Sequence, residues 1–201
     1  MKPRPRKGGP GPSLKLPDLY IENQEPFSEW LMLEYRHCIE SWEGLIFTNV
    51  RDERLIEALR PLSVVYKESA RELEGFDPKS TLVLDPDAEK PLTTSDVDAC
   101  RALVVGGILG SEGFTGKTRE LVTKKLECQA RNLGPRQLSI DSAVVVARLI
   151  ALGMRLEDIE LTSEVEVRHD VGHSTVLPYA YPILNGKVIF TPGLAEYLRK
   201  H

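Results

Sequence analysis

Blocks of apolar and polar residues alternate along this chain, and they predict alternating strands and helices. Short and largely apolar runs, such as 81–86 and 102–107, are typical of strands that are covered on both faces. Between such runs lie segments with apolar residues at helical spacing, for example 29–41, which Ser28 can cap. Because helices that alternate with buried strands favour a parallel sheet, we predict an α/β fold with a mostly parallel sheet and helices on both of its faces.

The remaining elements follow from the same patterns. Further strands are predicted at 19–22, 44–49, 63–66 and 128–133. Further helices are predicted at 52–59, 68–73, 117–125 and 143–152, of which the last is nearly apolar all round. Ser139 or Asp141 begins that helix, and Gly153 ends it. From about residue 160, alternation at 164–168 and an apolar run at 186–190 predict a smaller hairpin unit, closed by a helix at 192–200.

Length and composition fit one globular domain. The chain has 201 residues, of which 41% are hydrophobic and 28% are charged, so it can bury a core. We expect a single domain at 18–201 behind a disordered basic arm at 1–17, with no membrane span and no secretory signal. The three cysteines are widely spaced, which predicts reduced thiols in the cytoplasm rather than disulfides or metal ligands.

The segment 111–118 ends in Gly-Lys-Thr, as the phosphate-binding loop of a nucleotide triphosphatase does. Ser111 stands where that loop needs its first glycine, and Gly110 lies one residue too early. The shift would turn the backbone N–H groups away from the phosphates, so we do not expect a triphosphatase.

Two glycine-containing segments carry the strongest chemical signal. One is the apolar strand and turn at 103–110, and the other is the loop and helix start at 131–143. Two loops with little side-chain bulk can close around one flat, uncharged ligand, which suggests a cofactor of nucleoside type. The glycines could equally form ordinary turns, and other residues of the second segment could be helix caps. These candidate caps are Gln137, Ser139 and Asp141.

Short motifs along the chain carry a specific resemblance to a known family. They are Phe27-Ser28-Glu29-Trp30, Leu33-Glu34-Tyr35, Leu84-Asp85-Pro86, Gly106-Gly107-Ile108-Leu109-Gly110, Thr118-Arg119-Glu120-Leu121, Arg131-Asn132-Leu133-Gly134 and Pro192-Gly193-Leu194. On these motifs, roughly residues 19–200 resemble the SPOUT class of S-adenosylmethionine-dependent methyltransferases. The closer resemblance is to the branch that contains the yeast protein arginine methyltransferase acting on ribosomal protein uS3. It implies a SPOUT fold whose C-terminal part forms a deep trefoil knot.

The resemblance also implies S-adenosylmethionine as the cofactor, held by the two loops. The cofactor-binding residues that it implies are Gly106, Gly107, Ile108, Leu109, Gly110, Arg131, Asn132, Leu133, Gly134, Gln137, Leu138 and Ser139. Methyl transfer is a direct displacement that needs positioning and exclusion of water, and it needs no metal ion.

An arginine acceptor would require a carboxylate at the site. The guanidinium group is protonated throughout the physiological pH range, so a carboxylate must orient it and take a proton as the new C–N bond forms. The candidates are Glu112, Asp141, Glu29 and Glu34. Each could instead be a surface charge, a helix cap or the partner of an arginine.

Three functions stay open at this point. The first is methylation of an arginine in a ribosomal protein, which the branch resemblance and the net charge of -4 favour. The second is methylation of rRNA or tRNA, the usual activity of the SPOUT class, which the basic arm would suit. The third is a non-catalytic module that binds S-adenosylmethionine and RNA. Either a monomer or a homodimer is expected.

Overall fold

A computed structural model describes residues 16–110, 116–169 and 173–200 of the chain. Its centre is a six-stranded sheet. The strands are β1 (Asp18–Asn23), β2 (Ile46–Thr48), β3 (Val64–Val65), β4 (Thr81–Leu84), β5 (Ala102–Gly107) and β6 (Gln129–Arg131). Their order is β3-β2-β1-β5-β4-β6, and every neighbouring pair in that order is parallel. The predicted parallel sheet is therefore confirmed.

The α-helices of the described residues surround this sheet. They are α1 (Glu29–Ser41), α2 (Glu53–Leu59), α3 (Thr94–Ala99), α4 (Lys124–Leu126), α5 (Ile140–Ala151) and α6 (Leu194–Lys200). Ser28 caps α1 as predicted, and its hydroxyl accepts the N–H of Leu31 at 3.1 Å. Ser139, rather than Asp141, caps α5. In the part of the chain that the structure describes, no helix has the length and apolar character needed to cross a membrane.

Both faces of the sheet are covered, because alternate residues of a strand point in opposite directions. Ile21 of β1 and Val105 of β5 belong to the larger buried cluster, which also takes in side chains of α1, α2, α3 and α5. Val104 of β5 lies in a second cluster with Val122 and Leu126, which come from the helical segment that ends in α4. Helical segments therefore cover both faces, as the sequence predicts.

Three helical segments differ from the prediction. The sequence pattern does not predict α3, since six residues are too few to show a helical period. The helix predicted at 68–73 is only a 3-10 turn at Ala70–Glu72, because Ser69 and Glu72 cap each other around a single turn. The helix predicted at 117–125 is a π-helical turn at Arg119–Thr123 that continues into α4.

The C-terminal region forms two hairpins rather than the single predicted one. The first pairs β7 (Val165–Arg168) with β8 (Ser174–Leu177), and the second pairs β9 (Ile183–Leu184) with β10 (Lys187–Val188). The alternating segment 164–168 therefore pairs with β8, which is nearer to it in the sequence than the run at 186–190. Between the hairpins the chain returns to the loop before α5, where the N–H of Ala180 donates to the carbonyl oxygen of Gln137 at 2.8 Å.

Candidate active site

A cleft opens at the carboxyl ends of β4 and β5, the edge of a parallel sheet at which ligands usually bind. It encloses about 810 Å³, part of which is open to solvent. Four chain segments surround it. The lining residues are Leu84, Asp85, Pro86 and Asp87 in the first segment, Val105, Gly106, Ile108, Leu109 and Gly110 in the second, Gly116, Lys117 and Thr118 in the third, and Leu133, Gly134, Arg136, Gln137, Leu138, Ser139, Ile140 and Ala143 in the fourth.

Nine of the twelve residues predicted to hold a cofactor line this cleft. They are Gly106, Ile108, Leu109, Gly110, Leu133, Gly134, Gln137, Leu138 and Ser139. A Cβ added at Gly134 would meet no atom within 4 Å, so the backbone there borders open space. Apolar side chains and bare backbone together fit a flat and largely uncharged group such as a purine nucleoside.

The other three predicted residues, Gly107, Arg131 and Asn132, lie outside this lining. Arg131 pairs with a carboxylate of α3 at 2.9 Å, and the side chain of Asn132 accepts the N–H of Gly134 at 3.0 Å. A Cβ on Gly107 would lie 2.2 Å from the hydroxyl of Tyr35. Tyr35 therefore leaves no room for a side chain at Gly107.

Gly110 is constrained from the C-terminal region. An added Cβ there would lie 2.4 Å from Cε1 of Tyr179, whose hydroxyl donates to the carbonyl oxygen of Gly110 at 2.5 Å. The connection between β8 and β9 thus packs against the turn after β5, whose residue Gly110 lines the cleft. Sequence patterns do not predict this contact, because it joins positions 69 residues apart.

Two carboxylates that the sequence reasoning missed also line the cleft. Asp85 is buried and accepts hydrogen bonds from the N–H of Asp87 at 2.9 Å and from the hydroxyl of Thr123 at 2.7 Å. Asp87 is half-buried. Both residues follow β4, and β4 adjoins β5 in the sheet. Their place after a buried parallel strand was the signal that could have identified them.

Asp141, one of the predicted catalytic acids, lies buried behind the cleft. Its carboxylate accepts hydrogen bonds of 2.6 Å from the hydroxyls of Thr191 and Ser139, and its Oδ2 lies 2.7 Å from Nδ1 of His37. These contacts tie α1 and the segment before α6 to the start of α5. Asp141 does not line the cleft.

Glu34, a second predicted catalytic acid, is also buried in this region. It accepts the indole N–H of Trp30 at 2.6 Å and the N–H of Ile140 at 3.0 Å. Burial, and then the charge of Asp141, raises the pKa of Glu34 to about 8. The folded protein therefore favours the protonated form of Glu34 more than the unfolded chain does. Because Ile140 lines the cleft, Glu34 is suited to hold that wall in position.

Two acidic candidates, Glu29 and Glu112, remain. Glu29 is exposed in the first turn of α1 and lies outside the lining. Glu112 falls outside the described residues. Among the described candidates, none faces the cleft, and the catalytic role of all four stays a prediction.

Comparison with models of known protein families identifies the family of this chain. A family model described as "Protein arginine N-methyltransferase SFM1-like" matches residues 19–201. The chain belongs to this family. The predicted enzyme class, an S-adenosylmethionine-dependent methyltransferase of protein arginine or RNA, is thereby confirmed, and the family is one of protein arginine methyltransferases.

Two comparisons link the SFM1-like chain to a yeast protein. The protein arginine N-methyltransferase SFM1 of Saccharomyces cerevisiae is 29% identical over an alignment of 194 residues that covers 88% of this chain and 91% of the yeast protein. The crystal structure of the yeast arginine methyltransferase SFM1 complexed with S-adenosylmethionine superimposes with a TM-score of 0.83 at 26% identity, over 95% of this chain and 93% of that one.

A more distant neighbour shares the fold alone. The dual-specific Trm10 of Thermococcus kodakaraensis superimposes with a TM-score of 0.51 at 16% identity, over 71% of this SFM1-like chain and 96% of the archaeal one. The SPOUT-like architecture predicted from the motifs is thus found in both neighbours.

Proposed function

We propose that this protein transfers a methyl group from S-adenosylmethionine to an arginine side chain of another protein. One observation carries the proposal: in a chain of the arginine methyltransferase family, the two glycine-containing segments meet around a single cleft at the carboxyl ends of β4 and β5. The S-adenosylmethionine bound to the yeast neighbour supports the same cofactor here.

The lining of the cleft suits the parts of this cofactor. Leu133, Leu138 and Val105 offer apolar contact to an adenine ring, and the backbone of the two turns offers hydrogen-bonding groups to its edge. Asp85 and Asp87 can accept hydrogen bonds from ribose hydroxyls or from the amino group. When bound, S-adenosylmethionine supplies a methyl group activated by the sulfonium.

Transfer to a guanidinium group is a direct displacement. The acceptor nitrogen gains the methyl group and loses one proton, while the electron pair of the broken carbon–sulfur bond stays on sulfur. The task of the chain is to hold the acceptor nitrogen in line and to exclude water. The apolar side chains of Leu84, Leu109 and Leu138 line the cleft and are suited to exclude water from it.

The proposed acceptor is a ribosomal protein, and the proposed location is the cytoplasm. The motifs shared with the branch that acts on ribosomal protein uS3 support this acceptor, and the net charge of -4 favours a basic protein over RNA. Cys38, Cys100 and Cys128 are all free thiols, which suits a reducing compartment.

The same resemblance supports a knotted chain. In the proposed path, the C-terminal part of the chain, which begins with the segment after β6, is threaded through a loop. The N–H of Asn132 donates to the carbonyl oxygen of Lys90 at 2.8 Å, which holds the start of that segment against the connection after β4. A crystal structure traced through residues 100–150 tests the proposal, since a segment that passes outside the loop would contradict it.

The transfer reaction itself is tested with radiolabelled S-adenosylmethionine and with ribosomal proteins and ribosomal RNA as separate acceptors. We expect the label on protein. Label confined to RNA would contradict the proposal and identify an RNA methyltransferase. Tight cofactor binding without any transfer would identify a non-catalytic module.

A further inference from the structure

A second cleft lies beside the first, at the carboxyl ends of β1 and β2. It encloses about 830 Å³, part of which is open to solvent. Asn23 at the end of β1 is in register with Gly107 at the end of β5, and the helices that follow these two strands cover opposite faces of the sheet. The crevice between such diverging connections is the usual ligand site of an open α/β sheet. Two ligands can therefore lie side by side, one in each cleft.

Glu25 lies at the boundary between the two clefts. It lines the second cleft, and its Oε1 accepts the N–H of Leu109 at 3.2 Å, while Leu109 lines the first cleft. Its other oxygen, Oε2, receives no hydrogen bond from the residues that the structure describes. The side chain is half-buried, so a charged group can reach it from the second cleft.

A rigid set of contacts holds the backbone of Glu25. The side chain of Asn23 donates to the carbonyl oxygen of Glu25 at 2.8 Å and accepts its N–H at 3.4 Å. The hydroxyl of Tyr35 donates to Oδ1 of Asn23 at 2.6 Å, in the space that a side chain on Gly107 would fill. Asn23 and Tyr35 are buried. With the backbone held in this way and Oε1 bound to Leu109, the carboxylate loses less freedom when a ligand binds than a free side chain would.

We propose that Glu25 binds the guanidinium group of the arginine acceptor, and that the second cleft holds the peptide segment around that arginine. This inference rests on the proposed function of the first cleft. A carboxylate binds a guanidinium group well, since both are planar and two parallel N–H···O bonds can form. From the boundary, a guanidinium group bound to Glu25 lies beside the cofactor cleft.

The other charged groups near the second cleft do not offer this site. Asp52 caps α2 by accepting the N–H of Leu55 at 3.0 Å. Asp85 and Asp87 line the cofactor cleft instead. Two basic residues, Arg51 and Lys125, also line the second cleft, so it does not attract cations in general. A preference for arginine must therefore come from the position of Glu25.

The substitution Glu25→Gln tests the proposal, because an amide oxygen can still accept the N–H of Leu109 while the charge is lost. The matched control is Glu57→Gln, the same change at an exposed position of α2. The probes are a peptide around the arginine that the wild-type protein labels and the same peptide with glutamine in place of that arginine. Calorimetry on protein saturated with S-adenosylhomocysteine gives the peptide affinities, and label transfer gives kcat and KM.

We expect Glu25→Gln to bind the arginine peptide about 10- to 100-fold more weakly and to lose the preference for arginine over glutamine. Its affinity for S-adenosylhomocysteine should match that of the wild type, and Glu25→Asp should recover part of the peptide affinity. The inference is overturned if Glu25→Gln keeps the arginine preference, or if cofactor affinity falls in parallel. A wild-type protein that labels no arginine would overturn the proposed function as well, whereas an active wild type with an unaffected Glu25→Gln overturns this inference alone.

Discussion

The hydroxyl of Tyr179 donates a 2.5 Å hydrogen bond to the carbonyl oxygen of Gly110 and thereby joins the C-terminal region to the turn after β5. The next residue, Ala180, donates its N–H to the carbonyl oxygen of Gln137 in the second loop of the cleft. Both predicted cofactor loops thus contact the same short segment. The region after β8 therefore contacts two of the segments that line the cleft.

Removal of the Tyr179 hydroxyl should weaken cofactor binding while the fold is kept. Tyr179→Phe deletes one hydrogen bond, a contribution of about 1 kcal/mol, and leaves the ring in place against Gly110. We expect about fivefold weaker binding of S-adenosylhomocysteine by calorimetry. Tyr66→Phe, at a side chain that is 40% exposed, is the control. Equal affinities in the two variants would show that the C-terminal contact does not shape the cleft.

A methyl group at Gly107 should destabilise the protein by about 2 kcal/mol through overpacking. The added Cβ would lie 2.2 Å from the hydroxyl of Tyr35 and 3.0 Å from Cα of Asn23. Urea unfolding measures the loss in Gly107→Ala. Gly106→Ala is the comparison, because its Cβ would meet its nearest neighbours only at 3.4 Å. An equal loss in both variants would contradict the role given to Tyr35.

A large side chain at Ala143 should block the cofactor cleft. Ala143 lines the cleft in the first turn of α5, so a phenyl ring there adds apolar volume without a change in charge. We expect Ala143→Phe to bind S-adenosylmethionine at least about tenfold more weakly. Ala99→Phe, at the exposed end of α3, should bind normally. Normal binding by a folded Ala143→Phe would place the cofactor elsewhere.

The titration of Glu34 should make the protein less stable as the pH rises. The folded-state pKa of about 8 lies above the ordinary value of 4.5, so the folded protein holds a proton that the unfolded chain releases. The corresponding stabilisation is complete below about pH 4.5 and is lost as the pH rises through about 8.

The variant Glu34→Gln removes this titration. We expect the free energy of unfolding of the wild type, relative to that of Glu34→Gln, to be larger at pH 5 than at pH 8. Urea unfolding at both values measures it, and Glu57→Gln should follow the wild type. Parallel pH profiles for the wild type and Glu34→Gln would contradict a raised pKa.

Local patterns predict the sheet and most of the cleft, because their signals lie within one segment of chain. Apolar runs identify β4 and β5, and the cap at Ser139 locates the start of α5. Since parallel strands end at a common edge, the residues after them are brought together by the sheet itself. Asp85 and Asp87 could have been predicted by the same reasoning.

The contacts that complete the site have no such local signal. Glu34 bonds the N–H of Ile140 across 106 residues, and Tyr179 reaches Gly110 across 69. Tertiary packing alone creates these contacts, so the periodicity of apolar residues does not predict them. For the same reason, the sequence does not predict that Glu34 and Asp141 are buried behind the cleft rather than exposed in it.

We expect the cleft at the ends of β4 and β5 to deliver a methyl group to arginine. The most direct measurement is the identity of the methylated residue, obtained by complete hydrolysis of the labelled acceptor and chromatography against standards. The label should migrate as methylarginine, and Ala143→Phe should give less of it than the wild type at the same limiting concentration of S-adenosylmethionine. Label that migrates as methyllysine or as a methylated nucleoside would contradict the account.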